Sequence, residues 1–188
     1  MKRKKLGIMG GTFDPIHLGH LQCADVVQKK FNLEKVLFIP AGIPNFKQDK
    51  KLASSKNRLE MCKLAIADFG NPTFDVSDTE INRKGVTYTV DTLKEFSEYD
   101  IYFITGTDSA ATLEQWHNYE EILKLCTVVA VTRKGDVKHK LNPKILLIKA
   151  DVIEVSSTQI RSLSNIKNYV TPSVYEYIKE HELYSIIT

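Results

Sequence analysis

The sequence predicts an α/β protein: a doubly wound, mostly parallel sheet of five or six strands with helices on both faces. Three observations lead there. Short apolar runs of buried-strand type recur along the chain, helical apolar spacing lies between them, and the first set closes a strand–helix–strand unit within about thirty-five residues. At 188 residues, 43% of them apolar and 26% charged, the chain fits one domain with a sizeable core. The expected organisation is a single domain over 1–188 whose last helices, about 157–188, pack as a C-terminal subregion.

The first unit is a strand over 6–9, a helix from Leu18 whose apolar positions Leu21, Ala24, Val27 and Phe31 share a face, and a strand over 36–39. Strands so connected run parallel with a right-handed crossover, and a ligand site then lies beyond their C-terminal ends. A loop holding Gly42 and Pro44 leads to a helix over 57–69, with Asn57 and Glu60 as its expected cap. Next come a strand over 74–76, a helix over 90–96, a strand over 101–105, a helix over 119–125 and strands over 127–131 and 145–148. A short helix over 157–163 and a last one over 173–180, begun after Pro172, complete the chain.

The formal charge of +3 is small, and Lys2 to Lys5 supply much of it as a solvated tail, so no nucleic-acid partner is implied. Lys47, Lys50, Lys51 and Lys56 form a basic loop able to reach an anionic small ligand, with a plain exposed loop as the alternative. Cys23, Cys62 and Cys126 are odd in number and widely separated, and read as reduced core residues of a cytoplasmic protein. The N-terminal apolar run is too short and too soon interrupted for a signal peptide, and no membrane span is expected.

The chemistry concentrates in Gly10 to His20, GGTFDPIHLGH. Gly10 and Gly11 stand where strand becomes loop and let backbone N–H groups approach a ligand, for which phosphate is the natural candidate. The run is neither GxGxxG nor a loop ending in Gly-Lys-Ser/Thr, so neither a standard dinucleotide site nor a Walker site is indicated. His17 and His20, three apart at a helix start, both can donate hydrogen bonds to phosphate oxygens. A purely structural pair and a metal-binding pair are the competing readings, although His117, His139 and His181 add no recognisable zinc-ligand pattern. Asp108, just after a buried strand, can accept hydrogen bonds from a ribose or cap a helix. Trp116, between Gln115 and His117, belongs to no apolar stripe and can stack on a flat ring or pack structurally. Tyr175, Tyr177 and Tyr184 pack the last helix or serve a homodimer contact.

GGTFDPIHLGH resembles the signature of the HxGH nucleotidyltransferase superfamily, and Val155 to Arg161, VSSTQIR, resembles its second signature. Arg58 with Met61, TYTVDTL from Thr87 to Leu93, Gly106-Thr107-Asp108 with Trp116 downstream, and Tyr175, Ile178, Leu183 and Tyr184 are similar to the bacterial nicotinate-nucleotide adenylyltransferases. The resemblance covers essentially the whole chain. It implies a Rossmann-like nucleotidyltransferase fold and adenylyl transfer from ATP to nicotinate mononucleotide, yielding deamido-NAD and pyrophosphate in NAD biosynthesis. It further implies that His17 and His20 contact the triphosphate, that Gly10, Gly11 and Thr12 help bind phosphates, and that Ser157, Thr158 and Arg161 hold the distal end. By the same resemblance Gly106 and Asp108 take the adenosine, and Mg²⁺ arrives with ATP, bridging phosphates largely through water. Trp116 then stacks on the pyridine ring, and Thr87 and Tyr88 line its pocket. The chain departs from its relatives at Pro44-Asn45-Phe46-Lys47, which lacks a histidine but keeps Lys47 for the acceptor. Nicotinamide mononucleotide or phosphopantetheine as acceptor, and a nucleotide-binding sensor without turnover, are the alternative functions.

Overall fold

The apolar runs become strands because alternate residues can be buried on opposite faces of one sheet. In β6 (Asp100–Gly106) Ile101 and Phe103 enter one core cluster, while Ile104 enters the other. The computed structural model describes residues 3–44, 52–132, 140–153 and 155–184. Before β6 come β1 (Lys5–Gly11), α1 (Leu18–Phe31), β2 (Lys35–Pro40), β3 (Ile43–Pro44), α2 (Ser55–Phe69), β4 (Phe74–Val76), α3 (Thr79–Asn82), β5 (Val86–Thr87) and α4 (Thr89–Lys94). After it come α5 (Thr107–Ala110), a 3₁₀ turn (Leu113–Gln115), α6 (Tyr119–Leu125), β7 (Cys126–Thr132), β8 (Leu146–Lys149), α7 (Ser157–Ser162) and α8 (Pro172–Glu180).

Six strands pair in parallel in the order β4, β2, β1, β6, β7, β8. The chain runs outward from β1 through β2 to β4, crosses back to β6 on the other side of β1, and runs outward again to β8. Connections therefore diverge between β1 and β6, and a crevice opens beyond the C-terminal ends of those two strands. Helices cover both faces. Val27, Met61, Val174 and Ile178 of α1, α2 and α8 bury one face with Phe38, and Val90, Leu93 and Ile122 of α4 and α6 bury the other with Leu6 and Ile8.

The structure corrects one detail of the second helix. Its N-cap is Ser54, whose Oγ accepts the Asn57 N–H at 3.1 Å, rather than Asn57 with Glu60. A serine hydroxyl at that position meets a free amide of the first turn, and the helix gains two residues. Elements α3, α5, β3 and β5 are new relative to the expectation; β3 and β5 pair with each other alone, Ile43 with Val86 and Pro44 with Thr87. Cys23 and Cys62 are buried and Cys126 half-buried, and none of the three is in a disulfide. Burial pushes the Cys126 thiol up to about 12 and the Cys62 thiol further, so both stay protonated and unreactive. Among the described residues no helix is long and apolar enough to cross a membrane.

The loop after β2 is pressed onto α3 at Gly42, where an added Cβ would lie 2.2 Å from the Glu80 carbonyl oxygen. Gly42→Ala therefore should destabilise the protein by about 1–3 kcal/mol through overpacking against backbone. Urea unfolding measures this; an unchanged midpoint would mean that loop and helix separate freely.

Candidate active site

At the crevice β1 ends in Gly10 and Gly11, and Thr12 begins a tight turn. Phe13 adopts a left-handed backbone (φ 50°), the Asp14–Pro15 bond is cis, and the chain re-enters helix at His17. His17 is the N-cap of α1, in extended conformation, and His20 lies three positions into the helix. Their rings stack, centroids 3.6 Å apart and planes at 25°. The His17 backbone N–H donates to His20 Nδ1 at 3.3 Å. A nitrogen that accepts carries no proton, so neutral His20 keeps its proton on Nε2 and remains a donor there. Phe13 supports the same ring edge-on at 5.0 Å.

Gly19, between the two histidines, is pressed against backbone. A Cβ there would meet the Ile153 carbonyl oxygen at 2.9 Å and His17 Nδ1 at 3.1 Å, so only glycine lets α1 approach the segment before α7.

Beneath the turn lie two buried charges. Arg58 of α2, 2% exposed, donates from Nη1 to the Thr12 carbonyl (2.8 Å), from Nη2 to that of Gly42 (3.0 Å) and from Nε to that of Ala53 (3.2 Å). Burial lowers its pKa, opposed chiefly by Asp14. Asp14 is fully buried, and its Oδ1 accepts the Ala53 N–H at 3.1 Å and the Tyr184 hydroxyl at 2.6 Å.

The second signature forms α7, capped by Ser156, whose Oγ accepts the Gln159 N–H while the Gln159 side chain accepts the Ser156 N–H. Ser157 donates its hydroxyl to the Pro15 carbonyl at 2.9 Å and so locks α7 onto the first signature. Ser157 and Thr158 line the cavity with Gly10, Gly11, Thr12, His17 and His20. Arg161 does not: its Nη1 donates to the Asp14 carbonyl at 2.6 Å, and its Nη2 donates to Thr158 Oγ1 at 3.3 Å.

The same cavity, about 620 Å³, continues along the end of β6. Gly106 is the N-cap of α5 and Asp108 lies exposed in its first turn, so Asp108 is not the cap residue. The far wall holds Thr87, Tyr88 and Trp116. The Trp116 indole N–H donates to Thr112 Oγ1 at 3.2 Å and the ring stands edge-on to Phe103 at 5.9 Å, which fixes its plane. His117 lies against the Tyr88 ring at 4.3 Å. Twelve of the thirteen residues expected to bind ligand and described here thus converge on one crevice, Arg161 lying just behind its wall. Lys47 lies outside the described residues, as does His139.

Residues 8–163 match the cytidylyltransferase-like family model. Over 199 residues the chain is 40% identical to a Dehalococcoides mccartyi (strain CBDB1) protein named "Probable nicotinate-nucleotide adenylyltransferase", with 96% of this chain and 97% of the relative covered. A Thermoanaerobacter sp. (strain X514) protein of the same name is 40% identical over 200 residues, covering 96% and 94%. The chain belongs to the nicotinate-nucleotide adenylyltransferase family. Its fold is also that of the Plasmodium falciparum nicotinic acid mononucleotide adenylyltransferase complexed with NaAD, with TM-score 0.79, 23% identity and coverage of 97% and 98%.

Within this nicotinate-nucleotide adenylyltransferase scaffold, the contacts of Asp14, Glu80 and His117 were not foreseen. Asp14 is part of the first signature, and an acidic residue inside an otherwise apolar turn was the available signal. Glu80, 8% exposed, accepts the Thr92 hydroxyl at 2.7 Å, a pairing of distant residues with no sequence pattern. Gly19→Ala should push the His17 ring aside within the crevice and lower kcat by roughly tenfold. Steady-state kinetics checks this, and kcat within a factor of about two would show that the ring tolerates the methyl.

Proposed function

We propose that the chain transfers the adenylyl group of ATP to nicotinate mononucleotide, giving deamido-NAD and pyrophosphate. The observation that carries this reading is the stacked His17–His20 pair in one cavity with Trp116, Thr87 and Tyr88. A donor cluster for phosphate and a flat-ring wall share one space, as joining two nucleotides requires.

The acceptor phosphate is mostly dianionic at neutral pH, since the second pKa of a monoester is about 6. Its oxygen attacks the α-phosphorus of ATP, a new P–O bond forms, the bond to the β-phosphate bridging oxygen breaks, and pyrophosphate leaves with that electron pair. No general base is needed. The protein aligns two anions that repel each other and stabilises the charge that builds on the α-phosphoryl and leaving oxygens.

His20, with its Nε2 proton, donates to an oxygen of the reacting phosphate, and His17 beside it contacts the same chain of phosphates. Backbone N–H groups of Gly10, Gly11 and Thr12 approach the phosphates at the end of β1. Ser157, Thr158 and Arg161 take the distal phosphates. Gly106 leaves open space at the end of β6, no atom of the described residues beyond its chain neighbours lying within 4 Å of where its Cβ would stand; Asp108 there accepts from the ribose hydroxyls. Trp116 stacks on the pyridine ring, Thr87 and Tyr88 offer backbone donors to its carboxylate, and Lys47 serves the acceptor phosphate. Among the described residues no group of three or more His, Cys, Asp or Glu could hold a metal. Mg²⁺ fits as an ion carried on the phosphates of ATP and water, where it neutralises charge. The cytoplasm, which supplies ATP, is the compartment this reading needs.

The test follows pyrophosphate release from ATP and Mg²⁺ with nicotinate mononucleotide, nicotinamide mononucleotide and phosphopantetheine in turn. Nicotinate mononucleotide should react fastest; preference for the amide overturns the acceptor, and ATP binding without release by any acceptor overturns the transferase reading. His20→Ala should lower kcat by about 10²–10³, roughly 3–4 kcal/mol, as for loss of one oxyanion donor, with acceptor affinity little changed. Activity retained within a few-fold would remove His20 from the transition state.

A further inference from the structure

The cavity must take a polyphosphate, yet no lysine or arginine lies on its wall among the described residues. Arg161, assigned above to the distal phosphates, is the nearest guanidinium of the two signatures, and it is turned away. Its side chain is 18% exposed, with Nη1 on the Asp14 carbonyl at 2.6 Å and 3.6 Å from the Asp14 carboxylate Oδ2. Only the Nη2 contact, to Thr158 at 3.3 Å, reaches a residue of the cavity wall. To present Nη1 as well as Nη2 to phosphate, as a two-pronged contact requires, the guanidinium must leave Asp14.

That departure withdraws a cation from a fully buried carboxylate, which is costly unless other partners hold the charge. Three remain: the Ala53 N–H and the Tyr184 hydroxyl on Oδ1, at 3.1 and 2.6 Å, and the buried Arg58 nearby. Ala53 and Arg58 are also bound to each other through the Ala53 carbonyl, so both are fixed in the floor of the site. Tyr184 comes from the far end of the chain, beyond α8, from a left-handed backbone position (φ 65°). Burial and the Asp14 carboxylate raise its pKa far above the ordinary value, so it is always a donor.

We infer that Tyr184 is a positioning residue for the polyphosphate: by holding the Asp14 carboxylate, it frees Arg161 to turn from Asp14 to the distal phosphates. This rests on the assignment of Arg161 to those phosphates. Without the tyrosine hydroxyl, Asp14 depends more on Arg161 and retains it.

Calorimetric titration of the full chain decides the point, with AMP and with an ATP analogue whose α,β bridge cannot be cleaved. Tyr184→Phe removes one oxygen from a residue that otherwise still packs. It should weaken the ATP analogue by about five- to tenfold, the range for one hydrogen bond to a charged group, and leave AMP within about twofold. In an Arg161→Lys background the same change should cost the analogue less than about twofold, because the group it releases is gone. Equal losses for AMP and the analogue, or losses that simply add in the double variant, would overturn the proposal and leave Tyr184 as packing alone. Because these readouts are binding constants, they are decided separately from the turnover assay.

Discussion

Arg58 exchanges its water for the carbonyls of Thr12, Gly42 and Ala53, and the geometry of the crevice depends on that exchange. The three carbonyls belong to three separate segments: the turn of the first signature, the loop after β2, and the residue just before the cap of α2. Each hydrogen bond from a charged donor contributes about 1.5–3 kcal/mol. A guanidinium can serve them together because its donors fan out from one rigid plane, which an ammonium group lacks. Asp14 stands beside it and supplies the opposite charge, which keeps a buried cation tolerable.

Above this floor the division of labour follows from where the sheet connections diverge. The end of β1 offers backbone amides and two stacked imidazoles, the end of β6 offers Gly106 and Asp108, and the segment from β5 to the 3₁₀ turn offers aromatic surface. The reaction asks for no proton transfer by a side chain. The backbone N–H of His17 occupies Nδ1 of His20, so that ring presents a fixed donor at Nε2.

Much of this was legible in the sequence, and for identifiable reasons. The central sheet strands showed themselves because parallel strands buried on both faces read as apolar runs, the edge strands β4 and β8 through shorter apolar runs, and the two signatures because they are contiguous. What escaped was of two kinds. Elements of two to four residues, such as β3, β5, α3 and α5, are too short to show any period. Contacts whose acceptor is backbone leave no trace in residue identity either: Arg58 was visible as a motif residue, but its three carbonyls were not. The resting position of Arg161 belongs to the second kind, since its partner is the Asp14 carbonyl 147 residues away. The Ser54 cap was a matter of local competition among neighbouring polar residues.

The sequence separations around Asp14 bear on how the protein is assembled. The turn that holds it lies near the start of the chain, whereas Ser157, Arg161 and Tyr184 reach it or its neighbour from 142, 147 and 170 residues downstream. Synthesis runs from the N-terminus, so β1, α1 and β2 emerge long before those partners exist. Through that interval the first signature is present but its buried carboxylate lacks the tyrosine donor. The first-signature turn gains that donor only after Tyr184 has been synthesised, and a chain cut short before Tyr184 carries both signatures on an unfinished floor.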